Sequence, residues 1–256
     1  MKLRVILLSD LEGELNKVRR ELNRHRIRID LARLSDINHI HSLVVFLNGE
    51  RDFRVFTVLS ALYTGCKKTI AIIKNARGID NWRNALNDIN DDILRKTDTI
   101  AFIGDIDNNE RYNRLVQSLR NTDVRMESST EEFFKFNERN KKIILTYNGN
   151  LNDERFSSHE IEEDIIRFFE NLDKTKYLIN KCLTSHQNVD PKELYRSCIV
   201  REYEKQKCRD EILENVDRLL MHLMIVYKEI AMNIFYRFKR VLDELESVDN
   251  NFANSK

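Results

Sequence analysis

Ser42-Leu-Val-Val-Phe-Leu47 runs straight into Asn48-Gly49-Glu50-Arg51-Asp52, and the pattern returns at Thr99-Ile-Ala-Phe-Ile103 followed by Gly104-Asp105-Ile106-Asp107-Asn108. Each apolar run is short and unbroken, as expected of a strand buried on both faces of a parallel sheet. Two more such runs lie nearby, Thr69–Ile73 (TIAII) and Lys142–Thr146 (KIILT). Between them the apolar spacing changes to that of helices. Phe53, Phe56, Leu59 and Tyr63 mark one over 52–63, Trp82, Leu86, Ile89 and Ile93 a second over 81–94, and 109–119 a third. Strands alternating with helices of about a dozen residues predict βαβ units around a parallel sheet, an α/β (Rossmann-like) fold.

Towards the N-terminus, 3–8 reads as a strand, 11–25 as a helix, and the alternating RIRIDLARL at 26–34 as a further strand. This segment either extends the sheet or forms an appended arm. Towards the C-terminus the texture changes. All six glycines lie at or before Gly149, so turns concentrate in the first part and long elements in the rest. Ser158 and the acids Glu160, Glu162, Glu163 and Asp164 mark a helix start, where the helix dipole favours negative charge. Asp190-Pro191 suits the first turn of another helix. A last helix over 209–248 carries a broad apolar face through Leu223 and Ile230, long enough to need a partner helix or a second copy. The organisation expected is an α/β domain over 1–155, with its core at 42–150 and an N-terminal extension over 1–41, followed by an all-helical domain over 156–256.

Composition bounds the function. Apolar residues make up 41% and charged residues 33%, and the net charge is +1. A general basic coat for nucleic acid is absent, although a local basic face is compatible with these totals. Cys66, Cys182, Cys198 and Cys208 lack metal-ligand spacing and do not read as a disulfide framework. The start of the chain lacks a secretory cleavage pattern, and the apolar stretch 219–236 is interrupted by His222, Lys228, Glu229 and Asn233. A cytoplasmic protein with no membrane partner is therefore expected.

Chemistry is expected at the carboxyl ends of the strands, where open α/β sheets bind ligands. Asp105 and Asp107 stand there two residues apart. Two such carboxylates repel, and a divalent cation relieves the repulsion. Without a metal, Asp105 reads as a helix cap and Asp107 as a solvated acid.

The order of these features resembles the TOPRIM fold of topoisomerases, bacterial primases and OLD-type nucleases, over roughly residues 42–165. In that pattern the first strand ends in Glu-Gly with an Asp shortly after, and the third ends in Asp-x-Asp. Here VVFLNGERD and FIGDID occupy those places. SSHEIEED at 157–164 is similar to the acidic helix start of OLD-like members. The resemblance implies Mg²⁺ or Mn²⁺ on Asp105 and Asp107 and phosphodiester cleavage of DNA or RNA. One position departs from the pattern, because the glutamate that moves a proton in the family is Asn48. An amide cannot do that work near neutral pH. Glu50 would substitute if the chain stayed extended past Gly49, and Glu12 in the corner Glu12-Gly13 is a more distant substitute. With Asn48 in that place, a binding or assembly module without cleavage is the rival reading.

Lys74, Asn75 and Arg77, after the second strand, are candidate phosphate contacts or an ordinary solvated loop. Arg20 and Arg24, one turn apart in a basic run, are a candidate nucleic-acid stripe, or a face paired with Glu14 and Glu21. His159 is either a further ligand or a surface histidine. Arg218-Leu-Leu-Met-His222 resembles the Arg…His pair of HEPN ribonucleases with a gap one residue short, and His222 reads as a helix-packing residue. Neither a glycine-rich dinucleotide loop nor a Walker A sequence occurs.

Overall fold

The computed structural model describes residues 2–7, 10–36, 38, 40–47, 49–63, 69–75, 77–120, 126–130, 132–183, 188–207 and 215–253. Asn48, Cys66 and Cys208 lie outside the described residues.

The apolar runs form the strands predicted for them. In chain order the first half comprises β1 (Lys2–Leu7), α1 (Glu12–Arg24), β2 (Arg28–Leu31), β3 (Ile40–Phe46), α2 (Glu50–Tyr63), β4 (Thr69–Lys74), α3 (Trp82–Asn87), α4 (Asp91–Lys96) and β5 (Thr97–Asp105). Next come α5 (Asn109–Arg120), β6 (Met126–Thr130), β7 (Phe133–Glu138) and β8 (Lys141–Asn148). One sheet holds all eight strands in the order β2-β1-β4-β3-β5-β8-β7-β6. β2 through β8 in that order pair in parallel, and β8, β7 and β6 form an antiparallel meander at the far edge. The fold is α/β with a mostly parallel sheet.

Alternation along β3 explains the layers. Val44 and Phe46 pack into one apolar cluster with Leu15, Val18, Phe53 and Phe56, while Leu43, Val45 and Leu47 pack into a second with Trp82, Leu86 and Leu115. Successive strand side chains point to opposite faces, so α1 and α2 cover one face and α3, α4 and α5 the other. The connection through α2 leads from β3 to its neighbour β4, and the next one crosses back over β3 to β5. The chain therefore reverses direction between β3 and β5, and a crevice opens there at the strands' carboxyl ends.

After β8 every described regular element is helical. These are α6 (Ile161–Glu170), α7 (Asp173–Leu183), α8 (Pro191–Glu193), a π-helical stretch (Leu194–Ile199), α9 (Val200–Lys207), α10 (Val216–Val226), α11 (Lys228–Ile234) and α12 (Tyr236–Ala253). Pro191 begins its helix as expected, with Asp190 accepting from the Lys192 and Glu193 backbone N–H groups at 2.8 and 3.0 Å. Ile165, Phe169, Leu220, Met224 and Leu242 from these helices join the cluster that holds Phe53 and Val44. Apolar packing thus continues across residue 155. No helix among the described residues is long and apolar enough to cross a membrane.

Several expectations change. RIRIDLARL extends the sheet, since β2 pairs with β1. The helix expected over 81–94 is two helices, because Asn90 starts α4 anew by accepting from the Asp92 N–H at 2.8 Å; the apolar stripe from Trp82 to Ile93 is still buried. The single helix expected over 209–248 is broken at Tyr227 and Phe235, whose ψ of 48° and 40° leave the helical region. These breaks fold its apolar face onto the chain's own α2, α6 and β8, and Leu223 is 3% exposed. Cys182 and Cys198 form a disulfide, against the reading that the cysteines make no such framework. The packing of α7 on the π-helical stretch brings them together, and spacing alone does not reveal such a pair.

Candidate functional site

A cleft of about 280 Å³ lies at the crevice between β3 and β5, lined among others by Asp52, Asp105, Glu162, Arg51, Lys74 and Lys192. Asp105 ends β5. Its neighbour Gly104 sits in a tight space, because a Cβ there would meet Leu47 at 3.1 Å and Ile79 at 3.3 Å and push those side chains aside by a few tenths of an ångström. Asp52 stands in the first turn of α2, and Glu162 in the first turn of α6.

Asn148, at the end of β8, links two of the acids. Its amide donates to Asp52 and, at 2.7 Å, to Asp105. Asp105 also accepts the Ile161 backbone N–H at 3.2 Å. The residue before α6, Glu160, makes no side-chain cap of its own, so Asp105 from the sheet satisfies that helix end. The cap expected of Asp105 toward the following helix is made instead by Asn108, which accepts the Arg111 N–H at 2.9 Å. Gly149, at φ 78°, turns the chain from β8 toward α6. Asp164 accepts the Gly149 N–H at 3.1 Å and Glu163 that of Asn150, fixing α6 against the sheet.

Charge is concentrated in this small volume. Burial, then the nearby Asp105 and Glu162, pushes the Asp52 carboxyl well above the ordinary range. Burial and Asp105 push Glu160 up to about 7, with Lys192 3.3 Å away acting in the opposite sense. Arg51 donates to Glu162 at 2.5 Å, and its guanidinium lies 4.5 Å over the Tyr195 ring. Arg54 is clasped between Glu14 and Asp217. The cleft therefore presents three buried carboxylates from three separate segments, two of them bridged by one amide, with a rim of arginines and lysines.

The residues singled out from sequence divide between the cleft and other places. Asp105 is in it. Asp107 is not, because β5 ends at Asp105 and Asp107 turns to pair with Arg111. Glu50 and Lys74 line its mouth, 3.9 Å apart. The chain is helical from Glu50, so the extended path that would have aligned Glu50 with Asn48 is not taken. Glu12 begins α1 and does not line the cleft. Arg77 pairs with Asp88 at 2.7 Å, away from it. Arg24 pairs with Glu21, as the paired reading held, and Arg20 lines a separate depression with Lys17 and Arg218. His159 is 7% exposed and bonds Glu163 at 2.9 Å, so it is a buried anchor of α6 rather than a surface residue.

Sequence reasoning attached no role in this site to Asp52, Glu162, Lys192 or Arg51. Asp52 had a signal, since it stands where the TOPRIM pattern has its following aspartate. Glu162 is legible as a helix-start acid within SSHEIEED, the run similar to the acidic helix start of OLD-like members. Comparison with family models, with curated proteins and with solved structures finds no match to this chain.

Proposed function

We propose that the chain is a TOPRIM-like nucleic-acid-processing protein that cleaves phosphodiester bonds of DNA or RNA, with Mg²⁺ or Mn²⁺ held by Asp52, Asp105 and Glu162. The observation that carries this reading is the convergence of those three buried carboxylates on one cleft at the chain reversal of the sheet. Burial, and after it the charges of Asp105 and Glu162, raise the Asp52 carboxyl, and a divalent cation would relieve the like-charge part of that cost. When bound, such an ion acts as a Lewis acid and as a clamp on phosphate oxygens.

The chain's own residues supply the rest. Asn148 holds Asp52 and Asp105 in register. Lys74, Lys192 and Arg196 at the cleft wall meet phosphate charge. For proton transfer the cleft offers Glu50 at its mouth, with a side chain 51% exposed, while Glu160, pushed up to about 7 by burial and Asp105, stands behind the lining residue Lys192. Asp107, Arg77 and Arg24 have no part in this proposal. A cytoplasmic setting belongs to it, and there the Cys182–Cys198 pair is expected as thiols.

A second reading rests on the Arg51–Glu162 ion pair. If that pair neutralises the cleft permanently, the site binds nucleic acid or a protein partner without cleaving. Titration with Mg²⁺ or Mn²⁺, read by thermal shift and by cleavage of labelled single- and double-stranded DNA and RNA, separates the two. The first reading expects metal-dependent stabilisation and cleavage in wild type, both lost in Asp52→Asn and in Asp105→Asn and kept in Asp107→Asn. Intact substrates with every metal, alongside a retained binding shift, would establish the second.

A further inference from the structure

On the α2-covered face, away from the cleft lining, Glu21, His25 and His222 bring three ligand atoms together. Glu21 and His25 are one helical turn apart at the end of α1, so their side chains share a face. His222 arrives from α10, 197 residues along the chain. His25 Nε2 lies 3.1 Å from His222 Nδ1, and Glu21 Oε1 lies 3.8 Å and 3.6 Å from those two nitrogens. A tetrahedral zinc ion with bonds of about 2.0–2.1 Å separates its ligand atoms by about 3.4 Å. The three observed separations bracket that value.

We propose that Glu21, His25 and His222 form a transition-metal site, of the Zn²⁺ or Co²⁺ class, that clips α1 to α10. The surroundings favour the assignment in two ways. Glu21 is 2% exposed, and its other oxygen is occupied by Arg24 at 2.8 Å and Arg218 at 3.1 Å. That leaves Oε1 turned toward the imidazoles, the outer-shell orientation typical of metal carboxylates. Two imidazoles and one carboxylate select zinc-like ions over Mg²⁺. Three protein ligands leave a fourth position, and the rings are 25% and 36% exposed, so water can reach it. Arg24, Arg218 and Lys174 of α7 add positive charge around the site, so the ion is expected to exchange rather than to be trapped.

The consequence for the molecule is mechanical. α1 and α10 also carry Glu14 and Asp217, which together clasp Arg54 on the cleft wall. Fastening α1 to α10 stiffens that clasp. The site nevertheless stands independently of the function proposed for the cleft.

Titrating the full-length protein with Co²⁺ tests the assignment, because tetrahedral nitrogen-rich coordination gives strong visible bands while six oxygen ligands give weak ones. One equivalent with strong bands is expected in wild type and in Asp105→Asn, with at least tenfold weaker binding in His25→Ala and His222→Ala. Zn²⁺ should displace Co²⁺ and shift the ring nitrogen resonances of His25 and His222 in wild type, a readout that needs no variant to fold. Absence of the bands, bands that persist in both histidine variants, or unmoved ring nitrogens under saturating Zn²⁺ would each overturn the proposal.

Discussion

Two aspartates two residues apart on an extended strand share a face, and that expectation put Asp107 beside Asp105. It fails at a single residue. Ile106 leaves the strand to make a bridge with His159, and Asp107 beyond it meets Arg111 one helical turn on. Strand ends are set by tertiary pairing, which local spacing does not carry. Asp52 is the acid that belongs with Asp105, and the fold keeps it there against burial and like charge. The direction of that shift fixes a pH dependence. A carboxyl whose folded pKa is raised contributes stability below its unfolded pKa and loses it as pH rises through the folded value. Glu160 rises from 4.5 to about 7 and Asp164 from 3.8 to about 6, in both cases chiefly through burial, and Asp52 moves the same way. Metal-free protein is therefore expected to lose stability between pH 4.5 and 7, Glu160 contributing on the order of 2 kcal/mol. Urea midpoints measured across that window should fall with pH in wild type and flatten in Asp52→Asn and Glu160→Gln. Asp107→Asn should match wild type. A wild-type curve that climbs through the same window would refute the raised carboxyls.

At the scale of elements, helices and parallel strands were legible because each buries a repeating pattern. The β6–β7 meander was not. Phe133, Phe134 and Phe136 do not alternate cleanly, and β7 lies between two strands, pairing antiparallel with β6 and β8, with no helix on either side to mark it. The usable signal was Arg139-Asn140, a two-residue turn with both φ values positive, 52° and 59°, as tight hairpins require. The disulfide was equally hidden, because the residues that align Cys182 with Cys198 belong to two helical segments and not to a spacing. It closes a loop over a separation of 16 residues, for which chain entropy gives a contribution of about 3 kcal/mol. Reduction, or Cys182→Ser with Cys198→Ser, is expected to lower the unfolding free energy by that order. α7 and the π-helical stretch should lose hydrogen-exchange protection first. Alkylation at the moment of lysis reports whether the pair is open in the cell. Equal stability of oxidised and reduced protein would show that the bridge constrains nothing.

For the molecule as a whole, the sequence suggested two units and a long helix with an uncovered face. The structure breaks that helix and covers its face. Helices after β8 fold back over α1 and α2, and their apolar side chains complete the core on that face of the sheet. The breaks at Tyr227 and Phe235 make this possible, and neither carries a glycine or proline to announce it. The reason for expecting a second copy along this face was the absence of cover, and the cover is internal. Leu223 is the decisive position, at 3% exposure beside Val226 at 51% on the same helix. Leu223→Asp removes about 2–3 kcal/mol of apolar burial and places a charge in the core at a further cost of several kcal/mol. Against a total stability of roughly 5–15 kcal/mol, that is enough to unfold much of the chain. Val226→Asp should change stability by less than about 0.5 kcal/mol. Far-ultraviolet circular dichroism with light scattering reads both quantities at once. Loss of helical signal in Leu223→Asp, with Val226→Asp like wild type, is the outcome expected of a face buried within one chain. A folded Leu223→Asp whose only change is a halved mass would mean that this face is instead an interface between copies.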